Sequence, residues 1–394
     1  MNDHDLLILG AARTPLGSFQ GGLAACPAPI LGGVALRGAL RRSGLGADAV
    51  TDVAMGNVLQ AGLGQAPARQ AALAAGLPDR VQTTTVHKVC GSGLQAVMQS
   101  CHALAAGLGS VALAGGMENM SRAPYLLDGA RSGYRLGHQR LIDSVVHDGL
   151  WDPHRDAHMG DCAEHCAERY SFTREQQDAY ALESFRRAAS AQEDGSFAEE
   201  IEPVIWSEAR GGEKRLAVDE GPARVRPDRI TSLRPAFRAV GTITAANASS
   251  LNDGAAALVL ATASTASRLG VRPLARIAAF GAHAQDPLWF TTAPVEAARR
   301  AVAAAGWSVG DVDLWEVNEA FAVVPLAFSR ELGLEMARIN VFGGAIALGH
   351  PIGASGARIL VTLLTALRRK GGQRGVAAIC IGGGEGLAVA VELL

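Results

Sequence analysis

A chain of 394 residues, 48% hydrophobic and 19% charged, can bury a large core spread over about two or three domains, which excludes disordered, collagen-like and low-complexity architectures. Its formal net charge of -2 offers no broad positive field, so nucleic acid and anionic membrane surfaces are excluded as principal partners and an anionic ligand must be met locally. Cysteines at 26, 90, 101, 162, 166 and 380 lack the dense spacing of a secreted disulfide scaffold and read as reduced thiols. The apolar run 6–9 is too short for a signal or a membrane span, and the C-terminus is not a Ser-Lys-Leu address, so the expected compartment is the cytoplasm.

In chain order, 6–9 reads as a buried strand and Arg13-Thr14-Pro15-Leu16-Gly17 as a turn-rich loop. A helix is expected over 30–42, a short strand over 50–58 and an alanine-rich helix over 65–76. Residues 81–89 then run extended into Cys90. Glycines at 91 and 93 let the backbone approach a reacting group, and the spacing of Leu94, Val97 and Met98 predicts a helix starting just after the thiol. A thiol at a helix N-terminus, with Lys88 nearby, predicts a stabilised, nucleophilic thiolate; the competing reading is a buried structural cysteine. A buried strand over 110–118 follows, so strand and helix alternate as in a layered α/β domain. From about 120 to 245 histidine, proline, tryptophan and charge become frequent, which predicts an inserted cap region. Within it Thr173 stands three residues before Gln176, a capping-box signature for a helix over 173–191, and 211–227 is expected to be exposed.

The second half echoes the first. Residues 311–318 resemble 52–58, residues 353–359 resemble the Gly-Ser-Gly turn and helix after Cys90, and 375–385 resembles 109–118. Matches in one order and at similar offsets predict two copies of one α/β fold with the active site between them. The expected division is 1–120 as the first part of an N-terminal core, 121–245 as an inserted loop domain, 246–272 as the return to that core, and 273–394 as a C-terminal core.

Chemistry-bearing residues collect in the second copy. Asn318 follows a strand in Asn318-Glu319-Ala320-Phe321-Ala322, so its amide is either a binding group or a helix cap with Glu319 near the dipole. His350 lies in a glycine-rich loop over 343–356 that lacks the Gly-Lys-Ser/Thr ending of a P-loop; it is a general base or a hydrogen-bonded structural residue. Cys380 ends the last strand ahead of Gly382-Gly383-Gly384, whose backbone N–H groups suit an oxyanion hole or form only a tight turn.

Together with Arg13-Thr14-Pro15, Gln65-Ala66-Pro67-Ala68-Arg69-Gln70, Lys88-Val89-Cys90-Gly91-Ser92-Gly93 and Gly115-Gly116-Met117-Glu118-Asn119-Met120-Ser121, these segments resemble the thiolase family, in its acetyl-CoA acetyltransferase branch, over essentially the whole chain. The resemblance implies an α/β thiolase fold: two similar five-stranded halves in an αβαβα layering, with an inserted loop domain. It implies that Cys90, deprotonated by His350, carries the acyl group, and that Cys380 removes a Cα proton from a second acetyl-CoA. Asn318, through a water, and His350 would stabilise the enolate, while the N–H groups of Cys90 and Gly382 hold the tetrahedral oxyanion. Ser249 would lie near the pantetheine amide, with a helix N-cap as the alternative. His158 and Met159 would line a short acyl pocket, and Phe321 the pantetheine tunnel unless it is an ordinary core residue. Arg224 is the nearest substitute for a CoA-contacting arginine. No metal and no permanently bound cofactor is implied; coenzyme A and acyl-CoA are substrate and product, and the expected assembly is a homodimer or a homotetramer built as a dimer of dimers.

Several positions depart from the family pattern. His87 replaces an asparagine three residues before the nucleophile, so a second imidazole is expected near Cys90. Trp289-Phe290-Thr291-Thr292-Ala293-Pro294 replaces a Met-Gly-x-Gly-Pro loop beside the CoA channel, Arg224 is out of register near Pro222, and Ala246 and Ser250 replace two glycines beside Ser249. His154, His158, Cys162, His165 and Cys166 recur at near-helical spacing with zinc-ligand chemistry, but one helix seldom supplies tetrahedral coordination, so a helix face is the preferred reading. Rival functions are a degradative 3-ketoacyl-CoA thiolase with longer chains, a Cys/His/Asn hydrolase that leaves Cys380 without a role, and a non-catalytic acyl-CoA carrier, against which the presence of all four reactive side chains argues.

Overall fold

A computed structural model describes residues 2–208 and 212–394. The alternating elements build one mixed sheet. β1 (Leu6–Arg13), β2 (Asp52–Gly56), β3 (Gln82–Val86), β4 (Val111–Asn119) and β5 (Asn252–Thr262) belong to the first half, and β6 (Ala275–Ala284), β7 (Leu314–Val317), β8 (Arg374–Ile381) and β9 (Glu385–Leu393) to the second. Their order is β7-β8-β9-β6-β1-β5-β4-β2-β3, with the short strand Gly17–Ser18 paired beside this path on β5. The halves join where Leu6, Leu7 and Ile8 pair antiparallel with Ile277, Arg276 and Ala275.

Outward from that seam the pairing repeats. β1–β5, β5–β4 and then parallel β4–β2 are matched by β6–β9, β9–β8 and then parallel β8–β7. The fifth position differs: where the first half has β3, the second has a single parallel bridge from Trp315 to Ile339. The two five-stranded halves therefore merge into one sheet, with one outer strand reduced to a bridge.

The helices are α1 (Ala28–Ser43), α2 (Pro67–Ala74), α3 (Ser92–Ala105), α4 (Met159–Tyr170), α5 (Arg174–Glu193), α6 (Ala293–Ala304), α7 (Val323–Leu332) and α8 (Ile352–Lys370). α1 covers the outer face of the first half with α2 against it, α6 covers that of the second, and α3 and α8 form the shared middle layer. Strand alternation sorts the side chains accordingly. Leu7, Leu9 and Val259 face the α1 side, while Ile8, Leu258 and Leu260 face the middle, where Leu94, Val97, Leu360 and Leu363 pack. Each such leucine contributes about 2 kcal/mol over an exposed one. Every residue of α8 from Ile352 to Leu367 is buried, as a helix flanked by sheets on both sides requires.

The stretch 120–251 holds α4, α5 and short two-stranded pairs. The capping box forms as expected: Gln176 N donates to Thr173 Oγ1 and Thr173 N to Gln176 Oε1. Within 211–227, Gly211 lies outside the described residues, and Gly212–Leu216, mostly exposed, pairs antiparallel with Val204–Glu208, whose Val204 is buried. The expectation of exposure fails at Asp219. Its buried carboxylate takes two bonds from Arg13, at 2.7 and 2.8 Å, and Leu16 N at 2.8 Å, while Arg13 Nε donates to Glu200 at 2.5 Å. The Arg13-Thr14-Pro15 loop is thus the tie between β1 and the inserted segment. No described helix is long and apolar enough to cross a membrane.

Candidate active site

The nucleophile candidate sits on a strained turn. After β3, Val89 adopts φ 43°, a left-handed conformation costing a β-branched residue about 1–3 kcal/mol. Ser92 holds it there: its Oγ accepts from Lys88 N at 2.8 Å and donates to Val89 O at 2.6 Å. The next residue, Cys90, is raised at the tip, and α3 begins at Ser92. A Cβ on Gly91 would strike Ile381, so this turn packs directly on β8. Both the Cys90 and the Gly382 backbone N–H groups point at the sulfur.

Those donors favour the thiolate, yet burial, with a smaller push from Glu118, raises the thiol to about 11. This corrects the expectation of a stabilised thiolate: desolvation outweighs the helix end. Lys88 is paired with Glu385 of β9, in a contact reaching across the two halves. His87 is exposed, with its Nδ1 facing Val89 N at 3.4 Å, so its ring folds onto its own turn.

His350 is buried, with Nδ1 2.6 Å from Ser355 Oγ. Ser355 Oγ donates to Pro351 O at 3.0 Å, so it accepts from an Nδ1–H, and the tautomer assigned by this network leaves the lone pair on Nε2. That nitrogen has no hydrogen-bond partner among the described residues. Burial, and next the charge of Arg358, lower the imidazole to about 3, so it is neutral, with the Nε2 lone pair open. Ser355 stands where Ser92 stands in the other copy, in the first turn of the middle-layer helix. A Ser355→Ala enzyme is expected to lose about tenfold or more in kcat with KM little changed, because Nδ1–H is no longer fixed; kcat equal to the parent's would remove the serine from the account.

Asn318 directly follows β7 and its N donates to Ala378 O at 3.0 Å. It caps no helix, since α7 begins only at Val323 with Ala322 as its N-cap. Its amide is fully buried and neither side-chain atom has a partner among the described residues, an arrangement costing about 1–3 kcal/mol unless a ligand or water meets it. Glu319 sits away from the α7 dipole. Its carboxylate accepts from Tyr180 Oη at 2.6 Å, Ser184 Oγ at 2.8 Å, Asn340 Nδ2 at 2.9 Å and Ile346 N at 3.0 Å, pinning the Asn318 turn to the His350 loop.

Cys380 is fully buried near the end of β8, which is followed by β9 and so is not the last strand. Burial first, and then neighbouring Cys90, raise its thiol well above the ordinary range, which places the two sulfurs within electrostatic reach. A Cβ on Gly382 would lie 3.4 Å from Met159 Sδ and 3.6 Å from Val89 Cγ1, so Met159 also closes on this point.

The proposed acyl pocket assembles from distant segments. His158 caps α4 by accepting from Gly160 N at 3.0 Å, and its ring stacks on Phe237 at 4.8 Å. Phe321, buried, meets the edges of Phe237 at 6.0 Å and Phe290 at 6.3 Å. Phe237 was not found from the sequence. Its one signal is Gly160, where a Cβ would strike the Phe237 ring. Ser249 precedes β5 rather than a helix; its N donates to Ala320 O at 3.0 Å and Ala248 bridges Phe321, so Ser249 and Phe321 run side by side. Nearby opens a cavity of 520 Å³ lined by Ala246, Ser250 and the exposed Arg224, Arg226 and Arg229.

The departing loop at 289–294 is a fixed wall: Gln285 Nε2 donates to Trp289 O at 2.5 Å and Thr292 Oγ1 at 2.8 Å, and Arg169 lies over the Trp289 ring at 4.6 Å. On α4, Cys162 and Cys166 are buried while His165 is exposed beside Glu168. Among the described residues no group of three or more His, Cys, Asp or Glu side chains could hold a metal ion.

The thiolase N-terminal domain pattern matches residues 6–264 and the thiolase C-terminal domain pattern residues 271–393. An acetyl-CoA acetyltransferase of Pseudomonas aeruginosa is 51% identical over 387 residues, 98% of each chain, and acetyl-CoA acetyltransferase 2 of Arabidopsis thaliana is 50% identical over 396 residues, covering 100% of this chain and 98% of that one. Among solved structures, the Bacillus anthracis acetyl-CoA acetyltransferase superposes with a TM-score of 0.97 at 41% identity over 99% of each chain. An Ascaris suum thiolase in complex with coenzyme A superposes at 0.93 and 42%, covering 99% of this chain and 100% of that one. Sequence, sheet order and both domain patterns agree along the full length, and the chain belongs to the thiolase family.

Proposed function

We propose that Cys90, His350, Cys380 and Asn318 divide between them the work of this acetyl-CoA acetyltransferase. His350 Nε2 takes the Cys90 proton as the sulfur attacks the thioester of acetyl-CoA. The tetrahedral oxyanion meets the Cys90 and Gly382 N–H groups, and its collapse expels CoA thiolate, which is protonated as it leaves. Cys380 then passes its proton to the freed His350 Nε2 and, as thiolate, removes a Cα proton from a second acetyl-CoA. The enolate oxygen is stabilised by the Nε2–H that His350 now carries and by a water on the Asn318 amide; its carbon attacks the acetyl group on Cys90, giving acetoacetyl-CoA and a Cys90 thiolate that takes the proton back from His350. Run backwards, the same groups carry thiolysis.

The observation that carries this reading is the second buried thiol, coupled to the first across the two halves. A hydrolase of the Cys/His/Asn kind has no use for it. The arginine-rimmed 520 Å³ cavity supports coenzyme A as the shared ligand, with Arg224, Arg226 and Arg229 toward its phosphates and Ser249 and Phe321 along the pantetheine. The crowded ring set of His158, Phe237, Phe290 and Phe321 supports a short acyl chain. β3 leaves one sheet edge unpaired among the described strands, which supports assembly into a homodimer or homotetramer. The test is steady-state thiolysis of acetoacetyl-CoA against longer 3-ketoacyl-CoAs. We expect acetoacetyl-CoA to lead by about tenfold or more in kcat/KM. Faster turnover of long chains would reassign the enzyme as degradative, and no thiolysis of any of them would overturn the reading.

A further inference from the structure

Glu118, at the end of β4, is fully buried and has no place in the reaction just described. Its carboxylate collects donors from both halves of the molecule. Oε1 accepts from Asn57 Nδ2 at 2.7 Å and Leu59 N at 3.2 Å, while Oε2 accepts from Val58 N at 3.0 Å and Gly353 N at 2.9 Å. The first three donors belong to the turn after β2. The fourth belongs to the first turn of α8, three residues beyond His350. Gly353 can be nothing larger, because a Cβ there would lie 2.8 Å from Glu118 Oε2.

The clamped segments touch the nucleophile. Val58 and Leu59, two of the donor residues, and Ile352, next to Gly353, form one small apolar cluster with Met120 and Val145, and Val89 and Cys90 pack against it. We propose that Glu118 is a positioning residue: by bonding the 57–59 turn and the start of α8 at once, it fixes the His350-bearing turn against the wall on which Cys90 rests. Its charge has a second consequence: beside the larger effect of burial, it opposes ionisation of Cys90. Glu118 faces Asp253 of β5 and Cys90, and burial lifts it to about 7 against the three backbone donors, so it is mainly ionised at pH 8.5.

The inference rests on the proposed acyl transfer through Cys90, and Glu118→Gln tests it separately. An amide in that place must turn its NH2 toward two N–H donors, breaking either the Asn57–Leu59 or the Val58–Gly353 pair. Expected in E118Q, beside an active parent, is a fall of about a hundredfold in kcat for acetoacetyl-CoA thiolysis with KM within about threefold. Alkylation of Cys90 by iodoacetamide at pH 8.5, which needs no substrate, should speed up by about threefold because the opposing charge is gone. A loosened fold would also speed alkylation of this thiol, so Glu118→Asp, which keeps the charge, is measured beside it: loosening would speed alkylation there as well, whereas loss of the charge speeds it in E118Q alone. Parental kcat in E118Q, or alkylation that does not speed up, overturns the proposal, whereas an inactive parent would indict the reaction instead. Should E118Q fail to fold, Glu118→Asp keeps the charge and withdraws the carboxylate by one methylene. It should lower kcat without faster alkylation, and parental kcat there overturns the proposal equally.

Discussion

Replacing Cys90 with serine is expected to lower both thiolysis and condensation by about ten-thousandfold or more in kcat and to leave no acetylated peptide at position 90. The substitution is nearly isosteric, and the turn that presents the side chain is held by Ser92 and by Gly91 against Ile381, so the fold is unaffected. What is lost is the sulfur. A serine hydroxyl is a far weaker acid than even this raised thiol, and a neutral His350 gains too little driving force to remove its proton. The same two groups set a pH signature in the free parent enzyme. With the thiol at about 11 and the imidazole at about 3, neither titrates near neutrality. Raising pH therefore only increases the thiolate fraction, and iodoacetamide alkylation of Cys90 should climb about tenfold per pH unit from 7 to 10 without a plateau. A plateau near pH 7 would mean a thiolate–imidazolium ion pair and would contradict the neutral pair described here.

The second large effect separates the half-reactions. Cys380 lies within electrostatic reach of Cys90 but makes neither oxyanion donor nor acyl bond, so Cys380→Ser should spare acylation and lower carbon–carbon bond formation by about a thousandfold. A thiol buried this completely ionises only when substrate supplies the stabilisation. In the proposed reaction, the Asn318 amide and His350 Nε2, both without a partner among the described residues, take part in that stabilisation once His350 Nε2 is protonated.

How much of this was legible beforehand depends on how local each signal is. The strand–turn–helix around Cys90, the Thr173 capping box and the repeat of 52–58 in 311–318 are written in neighbouring residues, and they stand in the fold as read. The state of the thiol was misread because a helix end is visible in sequence, whereas the burial that outweighs it is created by Ile381, Val58 and Ile352 from other segments. Asn318 was taken for a possible cap because nothing local shows that α7 starts five residues later. Phe237 arrives on His158 from about 80 residues away, and no period or motif announces it. The same holds for Arg13 and Asp219, a buried ion pair between a recognised loop and a stretch expected to be exposed.

The central claim is that one thiol carries the acyl group while the other makes the carbon nucleophile. Intact-protein mass and CoA release, followed together after mixing Cys380→Ser enzyme with acetyl-CoA, test it most directly. Expected are about one CoA released per active site, one acetyl group retained on Cys90, and almost no acetoacetyl-CoA. Acetoacetyl-CoA formed at the parent's rate, or an acetyl group absent from Cys90, would contradict it.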